Sequence, residues 1–180
     1  MLTIEKVKGS FVGSTRKLYH SSFAEWERIP FWSLRLRSLK KDMDLFAFCD
    51  DGAFCGFASL TVNDKAAYIQ YFAVEKSLRG KGIGGEALKL LAEHYDELPL
   101  ALDIPAVLPG TEGAKQRARF KKFYLRNGFK ESSFGYKDGG VVYEIFTRGE
   151  KREKEDYAKL INMLAFGLTK IRVRKVDELK

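Results

Sequence analysis

Between the apolar run Tyr68-Ile69-Gln70-Tyr71-Phe72-Ala73-Val74 and a helical pattern that begins at Gly82, the chain carries Arg79-Gly80-Lys81-Gly82-Ile83-Gly84-Gly85. Four glycines fall within six residues there. Glycine at that density, between a strand and a helix, clears side chains from the turn. Backbone N–H groups can then converge at the helix start, where the macrodipole adds partial positive charge. Phosphate oxygens suit such a place, and Arg79 and Lys81 put full charges beside it. The segment is therefore expected to bind a phosphorylated cofactor.

Two cofactor classes fit the same glycines. Gly80-Lys81-Gly82-Ile83-Gly84-Gly85 spells G-x-G-x-x-G, and Asp103 lies near the distance expected of a ribose-binding acid. That pairing would make the chain a nicotinamide-dinucleotide oxidoreductase. Against it, the five residues Glu75 to Arg79 separate the strand from the first glycine, and only 77 residues follow Asp103. Those residues read as one helix, two antiparallel strands and a tail, too little for a second nucleotide-binding half. A Walker A loop is excluded because Gly85 leads into Glu86-Ala87, with no Lys-Ser/Thr pair.

The same stretch resembles the acyl-CoA pyrophosphate loop of the GNAT acetyltransferase superfamily, Q/R-x-x-G-x-G/A, matched here by Arg79-Gly80-Lys81-Gly82-Ile83-Gly84. Phe123-Tyr124-Leu125-Arg126-Asn127-Gly128-Phe129 resembles that family's second cofactor segment, a helix ending in F-Y-x-x-x-G-F. Each motif is weak alone; in this order, with a strand between them, they are specific. The resemblance covers roughly residues 1–148.

The resemblance implies a mixed α+β fold. Its central sheet would be mostly antiparallel, of six or seven strands, splayed between the fourth and fifth and flanked by helices. Residues 1–148 would form the acetyltransferase domain, and 149–180 a helical extension packed on it or on a partner subunit. Acetyl-CoA, or another short acyl-CoA, would be the co-substrate, with no metal. Phe72, Ala73 and Val74 would bond its pantetheine arm like an added strand. Backbone amides of Arg79, Gly80, Lys81, Gly82, Ile83, Gly84 and Gly85 would hold the pyrophosphate.

Tyr124 matches the family tyrosine that protonates the departing CoA thiolate. A protonated amine cannot attack, so a base must also be present. Asp103, closing the fifth strand, is the candidate, acting directly or through water. Glu25 and Glu27 lie in the segment bordering the acceptor site and are candidates to bind a cationic substrate. His20 ranks below them because surface histidines are common, and His94 sits at the far end of its helix.

Two departures stand out. Tyr68 occupies a position where some relatives carry a glutamate, and Arg117 and Phe120 replace the frequent Asn-x-x-Ala. A catalytically silent acyl-CoA-binding module, with the loop but no turnover, is the competing class of function. The acceptor itself is not readable from the residues.

The elements that must position these groups follow from periodicity. Leu2 to Val7 alternates as a strand; Phe11 to Phe23 and Phe31 to Leu39 have helical spacing, broken near Pro30. Leu45 to Cys49 and Phe54 to Val62 form a hairpin about Asp50-Asp51-Gly52, and Ala66 to Val74 follows as a fourth strand. Gly82 to Tyr95 is an amphipathic helix, and Leu98 to Ile104 reads as a buried parallel strand. Pro105 to Gly113 is a loop. Ala114 to Asn127 is helical and stops at Gly128, and Phe129 to Tyr136 with Val141 to Thr147 makes a last hairpin. In the tail, Leu160, Ile161, Leu164, Ala165 and Leu168 recur at helical spacing. Such a stripe suits packing on its own domain or in a homodimer.

A chain of 180 residues with 45% hydrophobic content can bury a full core, which excludes a disordered class. No apolar run reaches the ~20 residues of a membrane span, and Met1 to Lys6 lacks a signal-peptide layout, so a cytoplasmic location without membrane association is expected. Cys49 and Cys55 are expected as free thiols. The net charge of +8 concentrates in Lys115 to Lys130, with seven Lys/Arg and no acid. A diphosphate and a 3′-phosphate explain part of it. No nucleic-acid module is recognisable, and no such partner is expected.

Overall fold

In the computed structural model of this chain, residues 1–108, 110, 111, 113–164 and 170–179 are described. They fall into two units, Met1–Val62 with Ile69–His94, and Asn63–Tyr68 with Tyr95–Lys180.

The first unit holds β1 (Leu2–Lys6), α1 (Phe11–Ser22), α2 (Phe31–Arg37), β2 (Met43–Asp50), β3 (Ala53–Val62), most of β4 (Ala67–Val74) and α3 (Ile83–His94). Its strand order is β1-β2-β3-β4. β1 and β2 pair antiparallel from Leu2↔Asp50 to Lys6↔Phe46. β2 and β3 close on Asp50↔Ala53, leaving Asp51 and Gly52 as the two turn residues. Both have positive φ, 46° and 79°, as a type I′ turn requires. Leu45, Phe48, Phe57 and Leu60 from these strands are fully buried, with Ala87, Leu88 and Leu91 from α3. Tyr19 of α1 is also buried, its ring edge-on to Tyr71 at 4.9 Å between centroids. Cys49 and Cys55 are free and buried, and burial pushes both thiols above their ordinary range.

Gly56 of β3 shows why one strand position admits no side chain. A Cβ there would lie 2.5 Å from the Ala73 carbonyl oxygen and 3.2 Å from Val74 Cα, both backbone atoms that cannot swing aside. Gly56→Ala is expected to destabilise the protein by about 1–3 kcal/mol, the usual cost of overpacking. The urea midpoint measures it, and an unchanged midpoint would refute the close approach.

The second unit holds the start of β4, then β5 (Leu100–Pro105), α4 (Ala114–Arg126), β6 (Lys130–Asp138), β7 (Val141–Arg148), α5 (Lys154–Leu164) and β8 (Arg174–Lys175). The order of its complete strands is β5-β7-β6-β8. Ala67, opening β4, donates its N–H to Pro99 O at 3.1 Å, just before β5 begins. β5 pairs antiparallel with β7, placing Asp103 opposite Ile145. Tyr157, Leu160 and Ile161 of α5 are buried in one cluster with Tyr68, Ala101, Tyr136, Ile145 and Val173. Asn162 ties α5 to the returning chain by a reciprocal pair: its amide donates to Ile171 O and accepts from Ile171 N–H. Ala165 and Leu168, counted in the tail's apolar stripe, lie outside the described residues.

The architecture is mixed α+β with a mostly antiparallel arrangement of strands, as expected. Eight strands are described rather than six or seven. The additional one is β8, which the tail forms by returning to β6 at Phe134↔Lys175 and Gly135↔Arg174.

Candidate active site

In the first unit, β4 ends at Val74, a 3₁₀ turn spans Lys76–Leu78, and α3 starts at Ile83. Gly80 and Gly82 have φ of 79° and 89°, a left-handed backbone that costs other residues ~1–2 kcal/mol. At neither would a Cβ meet anything within 4 Å. Backbone conformation, and open space reserved at the loop, are therefore what require glycine here. Gly82 O accepts from Gly85 N–H at 2.9 Å and Glu86 N–H at 3.1 Å, so the helix is capped by Gly82. The amides of Ile83 and Gly84 then belong to the first turn, which has no intrahelical acceptors.

Arg79 donates from Nε to Val74 O at 3.0 Å. One edge of its guanidinium thus braces the loop against the end of β4, a task the sequence did not reveal. Lys81 is exposed, while Ala73 and Val74 are buried and Phe72 is half-buried. Glycine-held backbone, a helix N-terminus and two cations fit a pyrophosphate.

In the second unit, the segment Phe123 to Phe129 has a local physical explanation. Gly128 adopts φ 83°, its N–H donates to Leu125 O, and Phe129 N–H donates back to Tyr124 O at 3.1 Å. This is a Schellman motif, which closes the helix and packs the residue after the glycine on the residue that accepts from it. The Tyr124 and Phe129 rings meet at 5.6 Å and 75°. The F-Y-x-x-x-G-F pattern is thus a device for fixing the Tyr124 ring. Its hydroxyl bonds no described residue. Burial, followed by the nearby Asp103 charge, pushes the phenol well above its ordinary range, so Tyr124 stays protonated.

Asp103 is half-buried on β5 and receives two phenols. Tyr68 donates to its Oδ2 at 2.6 Å, and the Tyr136 hydroxyl of β6 lies close enough to favour the ionised carboxyl. Tyr68 is fully buried and Tyr136 nearly so. Burial raises the Asp103 carboxyl above the usual carboxylate range, and both hydroxyls act against that rise. The second unit therefore brings together Asp103, Tyr68, Tyr136 and the influence of Asp103 on Tyr124. Tyr136 had no signal in the sequence, and Tyr68 stood out only as a departure from the family pattern.

Residues 13–129 match the model of the Acetyltransferase (GNAT) family. The chain belongs to that family. A comparison with curated proteins finds no match. Among solved structures, a Bacteroides thetaiotaomicron protein assigned to the GNAT family aligns with a TM-score of 0.70 and 23% identity, over 92% of this chain and 97% of that one. The Salmonella typhimurium acetyltransferase that modifies the N-terminal serine of 50S ribosomal subunit protein L7/L12 aligns at 0.60 and 16%, over 82% and 94%. The ribosomal-protein-S18-alanine N-acetyltransferase of Escherichia coli aligns at 0.58 and 16%, over 87% and 98%. At these identities the likeness concerns the fold. Membership of an acetyltransferase family, whose members generally use acetyl-CoA, weighs for the acyltransferase reading of the chain over the dinucleotide oxidoreductase.

The remaining candidates of this GNAT acetyltransferase lie in the first unit, apart from Arg117. Glu25 and Glu27 bound an exposed 3₁₀ turn beside Trp26, which is 71% exposed. Glu27 spends one oxygen on the Ala24 N–H at 2.8 Å, and its carbonyl accepts from Tyr71. The Glu25 side chain has no such tie among the described residues, although its carbonyl accepts from the Arg28 N–H. His20 contacts Arg28, and His94 lies edge-on to Phe46. In the second unit, Arg117 bonds Thr111, which occupies part of its guanidinium in bracing the loop before α4.

Proposed function

We propose that the protein transfers an acetyl group from acetyl-CoA to a primary amine by direct attack, with Tyr124 as general acid and Asp103 as proton acceptor. Acetyl-CoA supplies the activated acetyl thioester, its pyrophosphate held by Arg79 to Gly85. Glu25 and Glu27 draw the cationic acceptor. Asp103 takes a proton from the ammonium group, which frees the nitrogen lone pair to form the N–C bond. Tyr124 gives its proton to sulfur as the C–S bond breaks, and the second proton shed by the nitrogen restores the phenol, so the products are an amide and CoA thiol. One structural neighbour is named as modifying the N-terminal serine of a ribosomal protein and another as a ribosomal-protein-alanine N-acetyltransferase, which agrees with an amine acceptor.

The observation that carries this reading is the pairing, within one unit, of a carboxyl raised by burial with a phenol whose hydroxyl bonds no described residue. These are a carboxyl made more basic by burial and an acid that stays protonated.

A thermal-shift titration with acetyl-CoA, CoA and NADH tests the donor class. At a hundredfold excess over Kd, a ligand of the folded state adds about 2.7 kcal/mol. Stabilisation by both CoA species and not by NADH is expected. Acceptor-dependent CoA release from an amine panel then tests turnover. Binding without release from any amine would leave a silent acyl-CoA-binding module.

A further inference from the structure

The Asp103 carboxyl is served by side chains from three other elements of its unit. Tyr68 reaches it from β4 at 2.6 Å, Tyr136 from β6, and Tyr124 on α4 feels its charge. Behind them lie further polar groups. Tyr157 of α5 is close enough to influence Tyr68, while Tyr143 and Asp138 influence Tyr136. Tyr136 and Tyr143 stack at 5.0 Å and 12°, which fixes the plane of the Tyr136 ring. The Tyr68 ring is locked by complete burial in the cluster with Ala101, Tyr157 and Leu160. Two immobilised phenols converging on one carboxylate cost conformational freedom and two buried hydroxyls. For core packing alone, phenylalanine would serve without burying polar groups.

We infer that Tyr68 and Tyr136 are positioning residues, which clamp the Asp103 carboxyl between two phenols, Tyr68 by a direct hydrogen bond, and hold it aimed and ready as the proton acceptor for the amine. The inference rests on the acetyl-transfer reading for its chemistry, but the clamp itself stands on the geometry. A hydroxyl that donates to a carboxylate favours its charged form, whereas burial favours the neutral one. The clamp therefore opposes the rise that burial imposes and favours the ionised carboxyl, the form that accepts a proton. Asp103 acts as a base only when deprotonated, so activity should rise as pH passes through its titration. Removing either hydroxyl raises that titration, and the acid limb of kcat/KM moves to higher pH.

The test is a carbon-detected NMR titration of the side-chain carboxyls in the free protein, with the Asp103 signal assigned by its loss in Asp103→Asn. In Tyr68→Phe the Asp103 midpoint should move up by about one pH unit, and likewise in Tyr136→Phe, which serves if the first variant does not fold. With an amine that is turned over, the acid limb of kcat/KM should move by the same amount, with little loss above it. In an Asp103→Asn background the tyrosine substitutions should add no further pH shift. Identical Asp103 titrations in wild type and both variants would overturn the clamp. A pH-independent loss of rate with an unmoved titration would also overturn it, by reducing the tyrosines to packing. A shifted titration in a protein that acetylates no amine would instead retire the acetyl-transfer reading and leave the clamp standing.

Discussion

Tyr124→Phe is expected to lower kcat by about 10²- to 10⁴-fold, the range that a positioned general acid contributes, while acetyl-CoA still stabilises the protein as it does the wild type. The substitution removes one oxygen and nothing else. The Schellman closure at Gly128 uses backbone groups only, so the helix end survives. The ring contact with Phe129 at 5.6 Å also survives. The lost hydroxyl bonds no described residue, so folding stability should change by only a few tenths of a kcal/mol. The loss of rate should persist across the accessible pH range, because burial keeps the phenol protonated throughout it. Steady-state kinetics from acid to alkaline pH, with thermal shifts in parallel, measure both halves. An unchanged kcat at every pH would sink the acid assignment. Loss of folding or of the acetyl-CoA shift would move Tyr124 into a structural role.

The two motifs were legible because each is local. The glycine loop compresses a strand end, two left-handed turns and a helix start into about ten residues, and every part has a residue-type signature. Phe123 to Phe129 is likewise complete in itself, since the Schellman bonds join residues no more than five apart. The Asp103 clamp is different. Tyr68 and Asp103 are 35 residues apart and meet only because β4 begins beside the entry to β5, where Ala67 bonds Pro99. In sequence Tyr68 stands out only as a departure from the family pattern, with nothing to mark Asp103 as its partner. Tyr136, about as distant on the other side of Asp103 in the chain, is brought round by the β6–β7 pairing. Neither its spacing nor its neighbours mark it. β8 went unread for a related reason: two residues in the basic run Arg172 to Lys175 show no strand period, and their pairing with Phe134 and Gly135 is decided by the tail's return. Gly56 carried a signal, an isolated glycine within a strand, whose meaning is a close backbone approach.

Gly82→Val should abolish the acetyl-CoA thermal shift while leaving the free protein folded. Gly82 sits at φ 89°, where a β-branched side chain is strained whatever the space around it. The strain, ~1–2 kcal/mol, can be relieved only by turning the backbone to negative φ. That rotation would disturb the carbonyl which accepts from Gly85 and Glu86 and redirect the amides of Ile83 and Gly84. The rest of α3 is anchored by the buried Ala87, Leu88 and Leu91, so the damage should stay within its first turn. Donor binding depends on where those amides point and should fall far more than stability does. Gly52→Val is the control. It sits at φ 79° in the β2–β3 turn with open space around its Cβ position, so it carries similar strain at a site with no phosphate to hold. It should lower the unfolding midpoint comparably and leave the acetyl-CoA shift unchanged. Equal losses of ligand response in both variants would mean that general destabilisation, not the loop amides, governs donor binding. A full shift in Gly82→Val would remove the pyrophosphate from this loop.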